Sequence, residues 1–355
     1  MERYRGIHAA GAQPLHPTKF MNVFELTRAL VDIDSVTPNE EEVGVFLADY
    51  LRELAERTSG HVEMMSVEPH RFNVYAYWGE PVVTLSTHID TVPPFYPARE
   101  DDTFIWGRGA CDTKGIIASM IKAVEALLAA DDRDFALLFV VGEERNSAGA
   151  YYASKHARGS RFIVNGEPTE NKLALGSKGA LRFEIIACGK MAHSAYPQLG
   201  ESAIEKLLDA LLKIRAIKLP VDAMLGASTL NIGTITGGRA PNVIPDHAMA
   251  EVFIRLVDDG DSTRAAIAGA VKGLAEAKEI LCIPAIRLES VEGFETTVVS
   301  YTTDIPAFAG AWGKPLLFGP GSIHFAHTDE ERVPKIELLE AVDIYKSIVR
   351  QLKSK

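Results

Sequence analysis

The sequence predicts an α/β protein: a large unit with a mixed, largely parallel sheet flanked by helices, interrupted by an inserted α+β unit of ferredoxin-like order. Three observations lead there. Short apolar runs alternate with amphipathic helical stretches up to about residue 178. The grammar then changes, and strands of alternating apolar and polar residues follow in the order β-α-β-β-α-β. The α/β pattern returns after residue 290. The expected boundaries are 21–178 with 291–355 for the large unit and 179–290 for the insert, with 1–20 as a loose tail. A length of 355 residues suits two domains better than one core.

The elements follow in chain order. Asn22 and Glu25 form a capping box that opens a helix over 23–34. Asn39 and Glu42 repeat the pattern. Val43, Phe46, Leu47, Tyr50, Leu51 and Leu54 then share one helical face. Short strands are expected near 62–67, 72–78 and 82–87, a long helix over 114–130, and strands at 135–141 and 162–165 flanking a helix near 147–157. In GALRFEIIACGK (179–190), Leu181, Phe183, Ile185 and Ala187 line one face of a half-buried strand. ESAIEKLLDALLKI (201–214) reads as an amphipathic helix, and STLNIGTITGG and HAMAEVFIRLV as two strands. DSTRAAIAGAVKGLAEAK (261–278) reads as a helix capped by Asp261, and ILCIPAIRLE (280–289) as the closing strand. One face of this small sheet is covered by helices; the other face, or an edge strand, is left open to pair with a second subunit. PLLFG (315–319) and a helix over 335–353 complete the large unit.

Composition narrows the function. Apolar residues make up 47% and charged residues 24%, the balance of a soluble globular protein. A net charge of −11 argues against a phosphate-binding surface, and the insert's strands are poor in stacking aromatics, so a nucleic-acid partner is rejected. Three cysteines suggest a reduced compartment without a disulfide framework. No apolar run approaches the roughly 18 residues of a membrane span, and 1–20 lacks an apolar signal core, so the expectation is a cytoplasmic protein with no membrane partner.

The chemistry lies where apolar runs end. VVTLSTHID (82–90), FALLFVVGEE (135–144), RFIVNGEP (161–168) and PLLFGPGSIHFAHTDEE (315–331) each carry acids or histidines just beyond a strand, and Asp112 in GRGACDTKG precedes a helix. Each taken alone is weak. His88 and Asp90 could be a satisfied histidine and its neighbour, Asp112 a helix cap, and Glu143 with Glu144 an acidic surface turn. Together, two histidines and at least three carboxylates at strand ends form an oxygen and nitrogen donor set without thiolate. Such a set suits Zn²⁺, and also Co²⁺ or Mn²⁺. Cys111 reads as a small partly buried residue, and Cys188 and Cys282 as core of the insert's strands.

THIDTVP, GRGACDTKG, GEE, NGEP, KMAHSAYP, GGRAPNVIPDHAMAEVFIR and GPGSIHFAHTDEE, in that order over about 20–355, resemble the M20 family of zinc peptidases and deacylases. The resemblance implies a site with two divalent cations. Asp112 would bridge them, His88 and Glu167 would complete the first, and Glu144 and His327 the second. Asp90 would orient His88 and Glu143 would be the general base. His193 would reach the partner's site from a lid that dimerises, and support the oxyanion. Asn242 and Arg255 would hold a substrate carboxylate. The peptide after Asp112 would be cis. Arg255 has a plainer alternative, an ion pair with Glu251, and His193 could be only a turn residue. Two departures, EERNSAGA and HTDEE where HTPDE is common, bear on loop shape and remove no ligand.

The implied reaction is amide hydrolysis. Glu167 goes with the deacylases and carboxypeptidases of the family, and the length and single insert resemble the acetylornithine deacetylase and desuccinylase group of amino-acid biosynthesis. The first expectation is therefore removal of a short acyl group from an N-acyl amino acid. An exopeptidase acting on a dipeptide or C-terminal residue is second. A metal-binding but inactive carrier dimer is a third, disfavoured because Glu143 is present.

Overall fold

The computed structural model describes residues 21–355; the expected loose tail, 1–20, lies outside the described residues. The principal elements in chain order are α1 (Val23–Val31), α2 (Glu41–Thr58), β1 (His61–Glu68), β2 (Arg71–Trp78), β3 (Val83–His88), α3 (Gly115–Ala129), β4 (Phe135–Val140), α4 (Ala148–Ser154), β5 (Phe162–Asn165), β6 (Gly179–Cys188), α5 (Ala203–Arg215), β7 (Thr229–Gly237), β8 (His247–Leu256), α6 (Asp261–Val271), β9 (Glu276–Ile283), β10 (Lys314–Leu317) and α7 (Lys335–Lys353).

Six strands form one sheet in the order β1-β2-β4-β3-β5-β10. β3 runs parallel to both β4 and β5, and β10 runs parallel to β5, whereas β1 and β2 are antiparallel. β3 and β4 are buried at every position, as strands covered on both faces must be. Their side chains divide between two cores. Leu85, Leu137, Phe139 and Val164 meet α1, α2, α3 and α7 on one face. Ala136, Leu138, Val140 and Ile163 meet Ala150, Ala153, Phe308 and Trp312 on the other. Because β3, β4, β5 and β10 point the same way, the segments after their carboxyl ends gather along one edge. That edge is where open α/β sheets place their sites.

The second sheet has the order β7-β8-β6-β9, which is the antiparallel ferredoxin-like arrangement. Leu181, Phe183, Ile185 and Ala187 face α5 and α6 as the alternation predicts, beside Val252, Ile254, Leu207 and Ile267. The β7 edge is mostly exposed.

Five local expectations are corrected. The Asn22–Glu25 capping box is present, with Asn22 Oδ1 accepting from the Glu25 N–H at 3.0 Å and Glu25 Oε2 accepting from the Asn22 N–H at 2.8 Å, but its helix stops at Val31 on an Asp32 cap. No box opens α2. It starts after Glu40, whose carboxylate is engaged by Arg71 instead. Asp261 is the first helical residue rather than the cap, Gly260 taking the cap position at φ +85°. The same helix ends at Val271, not 278: Gly273 turns at φ +76°, and Glu276–Ile283 is drawn into pairing with β6. Tertiary pairing thus overrides the helical propensity of AEAKE. Cys188, expected as core, is exposed at the end of β6, and Cys282 is half-buried.

Candidate metal centre

β3 delivers His88, only 1% exposed, to the functional edge. Its Nε2 lies 3.0 Å from Asp112 Oδ1, and its Nδ1 faces the Asp90 carbonyl at 3.0 Å and the Asp90 carboxylate at 3.6 Å. Asp112 sits in a tight irregular turn, Ala110–Lys114, immediately before α3, and the Asp112–Thr113 peptide is cis. Thr113 Oγ1 donates to the His88 carbonyl at 2.6 Å, tying the two ligand segments together.

After β4 the chain turns at Gly142, φ +81°, where a Cβ would stand 2.8 Å from Arg71 Nη2; only glycine fits. The turn presents Glu143 and Glu144. Three successive N–H groups, those of Gly142, Glu143 and Glu144, donate to the buried Asp90 carboxylate at 2.9–3.1 Å. Glu167 follows β5 through Gly166, whose absent side chain allows Ile116 and Met120 of α3 to approach within 2.5–2.6 Å of its virtual Cβ. His327, on the loop after β10 at φ +63°, places Nε2 3.0 Å from Glu144 Oε1 and 3.3 Å from Asp112 Oδ2. Ligand atoms of His88, Asp112 and Glu144 all lie within 4.8 Å of one another.

The electrostatics match a centre built for cations. Burial opposes charge on Asp112, yet the hydrogen bonds from His327 and His88 hold its carboxyl well below the usual range. Bonds to Asp112 and Glu144 raise His327 to about 10. Burial pushes Glu143 and Glu167 well above the usual carboxylate range, and the surrounding acids reinforce it. Burial raises Glu144 too, against the pull of His327. Like charges packed out of water are costly unless positive charge joins them. The donors are imidazole nitrogen and carboxylate oxygen; Cys111, beside Asp112, is buried with its thiol pushed up by burial and donates to the Ser322 carbonyl, so it is no thiolate ligand. This donor set fits divalent cations of the zinc type.

The structure therefore gathers His88, Asp112, Glu144 and His327 by direct contact. Glu143 and Glu167 stand within electrostatic reach of His88 and Asp112. His193, Asn242 and Arg255, all in the inserted unit, are not in that cluster. His193 is exposed and accepts the Ala195 N–H at 3.1 Å. Asn242 is exposed, and its carbonyl accepts from the Ser194 N–H. Arg255 lies 4.8 Å over the Phe253 ring and has no carboxylate partner among the described residues. The simple Arg255–Glu251 ion pair is not formed, because Glu251 pairs with Arg182.

Sequence reading missed four supporting residues. Glu331 accepts the Cys111 and Asp112 N–H groups at 3.4 and 3.2 Å and pairs with Arg108 at 2.6 Å, all buried. Both acids and bases of that pair stood inside the quoted motifs, so a signal was there. Thr37 donates to Asp90 Oδ2 at 2.7 Å. Asp304 is buried beside Ser147, with one carboxylate oxygen unpartnered, and burial raises it to about 7. Neither of these two stands near a strand-end motif.

Residues 84–351 match the model of peptidase family M20/M25/M40. An M20 peptidase domain-containing protein of Schizosaccharomyces pombe is 41% identical, covering 92% of this chain and 84% of that one. A probable carboxypeptidase of Aspergillus niger is 38% identical, covering 91% and 88%. Among solved structures, the aminopeptidase PepT of Bacillus cereus superposes with a TM-score of 0.77 at 20% identity, over 94% of this chain and 98% of that one, which shows the shared fold.

Proposed function

Since the chain belongs to peptidase family M20/M25/M40, a family of metallohydrolases, we propose that it hydrolyses the amide that joins an acyl or peptidyl group to an amino acid with a free carboxylate. The observation that carries this reading is the His88–Asp112–Glu144–His327 cluster with Glu143 on the same turn. The peptidase form of the reaction comes first, because relatives 36–38% identical over most of the chain are named probable carboxypeptidases. Deacylation of an N-acyl amino acid, the first expectation from sequence, is the second reading. The two differ only in the group on the carbonyl side, and Glu167 suits both.

In this reading His88, Glu167 and Asp112 would hold one divalent cation, and Glu144, His327 and Asp112 a second. Zinc is proposed first, with cobalt or manganese as alternatives. Bound there, the ions would polarise the scissile carbonyl and bring the attacking water's pKa toward neutrality. Glu143 would take the proton from that water and return it to the leaving amine. A cavity of about 230 Å³ lies between residues 168–170, which follow Glu167, and residues 297–301 and 322–324, and offers room for one side of the substrate.

We assign 21–178 with 291–355 to the catalytic domain and 179–290 to a lid. The lid carries His193 to support the oxyanion, and Asn242 and Arg255 to hold the substrate carboxylate. A homodimer through the lid is supported by the exposed β7 edge and by Leu208, Leu212 and Ile235, exposed by 44%, 61% and 57%. No described helix is long and apolar enough to cross a membrane, and three free cysteines suit the proposed cytoplasmic setting.

The test is amine release from a panel of dipeptides, N-acetyl and N-succinyl amino acids and longer peptides, with zinc or cobalt added to chelated protein. Metal-dependent release of the carboxyl-terminal amino acid supports the proposal. Release of only amino-terminal residues, or equal activity in Glu143→Ala, refutes it.

A further inference from the structure

The Asp90 carboxylate is fully buried, 3.6 Å from His88 Nδ1, and its four hydrogen bonds come from other segments. Oδ1 accepts the N–H groups of Gly142 at 2.9 Å and Glu143 at 3.1 Å. Oδ2 accepts the Glu144 N–H at 3.1 Å and the Thr37 hydroxyl at 2.7 Å. Those four bonds use the roughly four acceptor sites of an ionised carboxylate. His88 Nδ1 instead meets the main-chain carbonyl of residue 90 at 3.0 Å, a group that any amino acid there would supply, and stands 3.6 Å from the carboxylate. Three consecutive N–H groups converging after a left-handed glycine make a concave anion seat. Here the seat is filled from within the chain. Thr37 is held to its task independently: its N–H donates to the Thr91 carbonyl, and the Thr91 N–H donates to Ser35.

We propose that Asp90, braced by the Thr37 hydroxyl, is a staple for the Gly142–Glu144 turn, so that Thr37 is a positioning residue for the base Glu143 and the ligand Glu144 rather than for His88. The inference rests on the two-cation reading for its consequences and on the geometry alone for its mechanism. It couples the loop between α1 and α2, remote in sequence from every ligand, to one half of the centre. Loss of the brace loosens Glu143 and the Glu144–His327 site and leaves the His88–Glu167 site as it was.

The experiment compares the parent with Thr37→Val, Thr37→Ser and Asp90→Asn. Hydrogen exchange of the 141–147 segment is read first on chelated protein. Thr37→Val speeds exchange about tenfold, on the order expected for losing one bond to a charged group, and Thr37→Ser restores protection. Asp90→Asn, whose amide turns donors toward donors, speeds it further. Unchanged protection in Thr37→Val overturns the proposal whatever the protein's metal content. Cobalt titration then separates the sites, the two events being assigned with His88→Ala and His327→Ala. Thr37→Val weakens the event lost in His327→Ala by about tenfold, leaves the other within twofold, and lowers kcat with KM little changed. Weakening confined to the His88 event, or equal weakening of both, overturns it. A parent that binds no cobalt refutes the metallohydrolase reading, while the exchange result still decides the staple.

Discussion

Arg108→Met tests how Asp112 is held. Arg108 and Glu331 pair at 2.6 Å with side chains 2% and 1% exposed, and Glu331 Oε1 takes the Cys111 and Asp112 N–H groups. Removing the cation leaves a carboxylate buried beside Asp112, and breaking such a pair typically costs about 3–5 kcal/mol. The cost has a sign in pH. Burial and then the Asp112 charge already raise Glu331 to about 7, and Arg108 is what opposes them. Without it the folded-state pKa climbs further above the unfolded value of about 4.5. An acid with a raised folded pKa destabilises progressively as pH rises from the unfolded value to the folded one, because only the folded state keeps the proton. The variant therefore loses about 3–5 kcal/mol relative to parent at pH 8 and about 1.4 kcal/mol less than that at pH 5, where Glu331 is protonated in both folded proteins, in urea unfolding followed by intrinsic fluorescence. Adding Glu331→Gln, which keeps an acceptor for the two N–H groups, recovers most of the loss at pH 8. A loss under about 1 kcal/mol at pH 8, or the same loss at both pH values, refutes the argument.

Three further outcomes are expected. Glu143→Gln lowers kcat by about 10²–10⁴ while bound metal per chain, measured by atomic emission, stays at the parent level. His193→Ala lowers kcat by about 10²–10³ with KM little changed; mixing it with Glu143→Gln subunits restores part of the activity if the histidine acts across the dimer, and steady-state assays of the mixture decide. Chelation leaves Glu143, Glu144 and Glu167 buried with raised carboxyls, so metal-free protein should lose thermal stability as pH rises above the ordinary glutamate range, whereas loaded protein holds nearly level; the same carboxyls release protons on zinc loading, seen by calorimetry in two buffers.

Much of the site was legible because parallel strands leave a strong trace. A strand covered on both faces tends to be apolar throughout, so FALLFV stands out, while VTLSTH carries buried Thr84, Ser86 and Thr87 between its apolar positions; acids just beyond both strands fall on the common carboxyl edge. The insert was legible through its period of two, down to the residues facing α5 and α6. What the sequence hid depends on contacts between distant segments. Nothing local separates Thr37 from any loop threonine; its role exists only because 35–37 docks against Thr91. The Asp90 carboxylate does stand 3.6 Å from His88 Nδ1, but four further donors, from Thr37 and from 142–144, lie more than fifty residues away along the chain on either side and leave no local trace. The end of α6 at Val271 was decided by the β6 edge, which a helical reading of 261–278 does not contain.

We assign His88, Asp112, Glu144, Glu167 and His327 to a shared pair of divalent ions, with Asp112 between them. Anomalous diffraction at the zinc edge from zinc-loaded crystals measures this directly. Two peaks per chain are expected, both touching Asp112, one held by His88 and Glu167 and the other by Glu144 and His327. Peaks elsewhere, or an Asp112 carboxylate that touches neither ion, would contradict it.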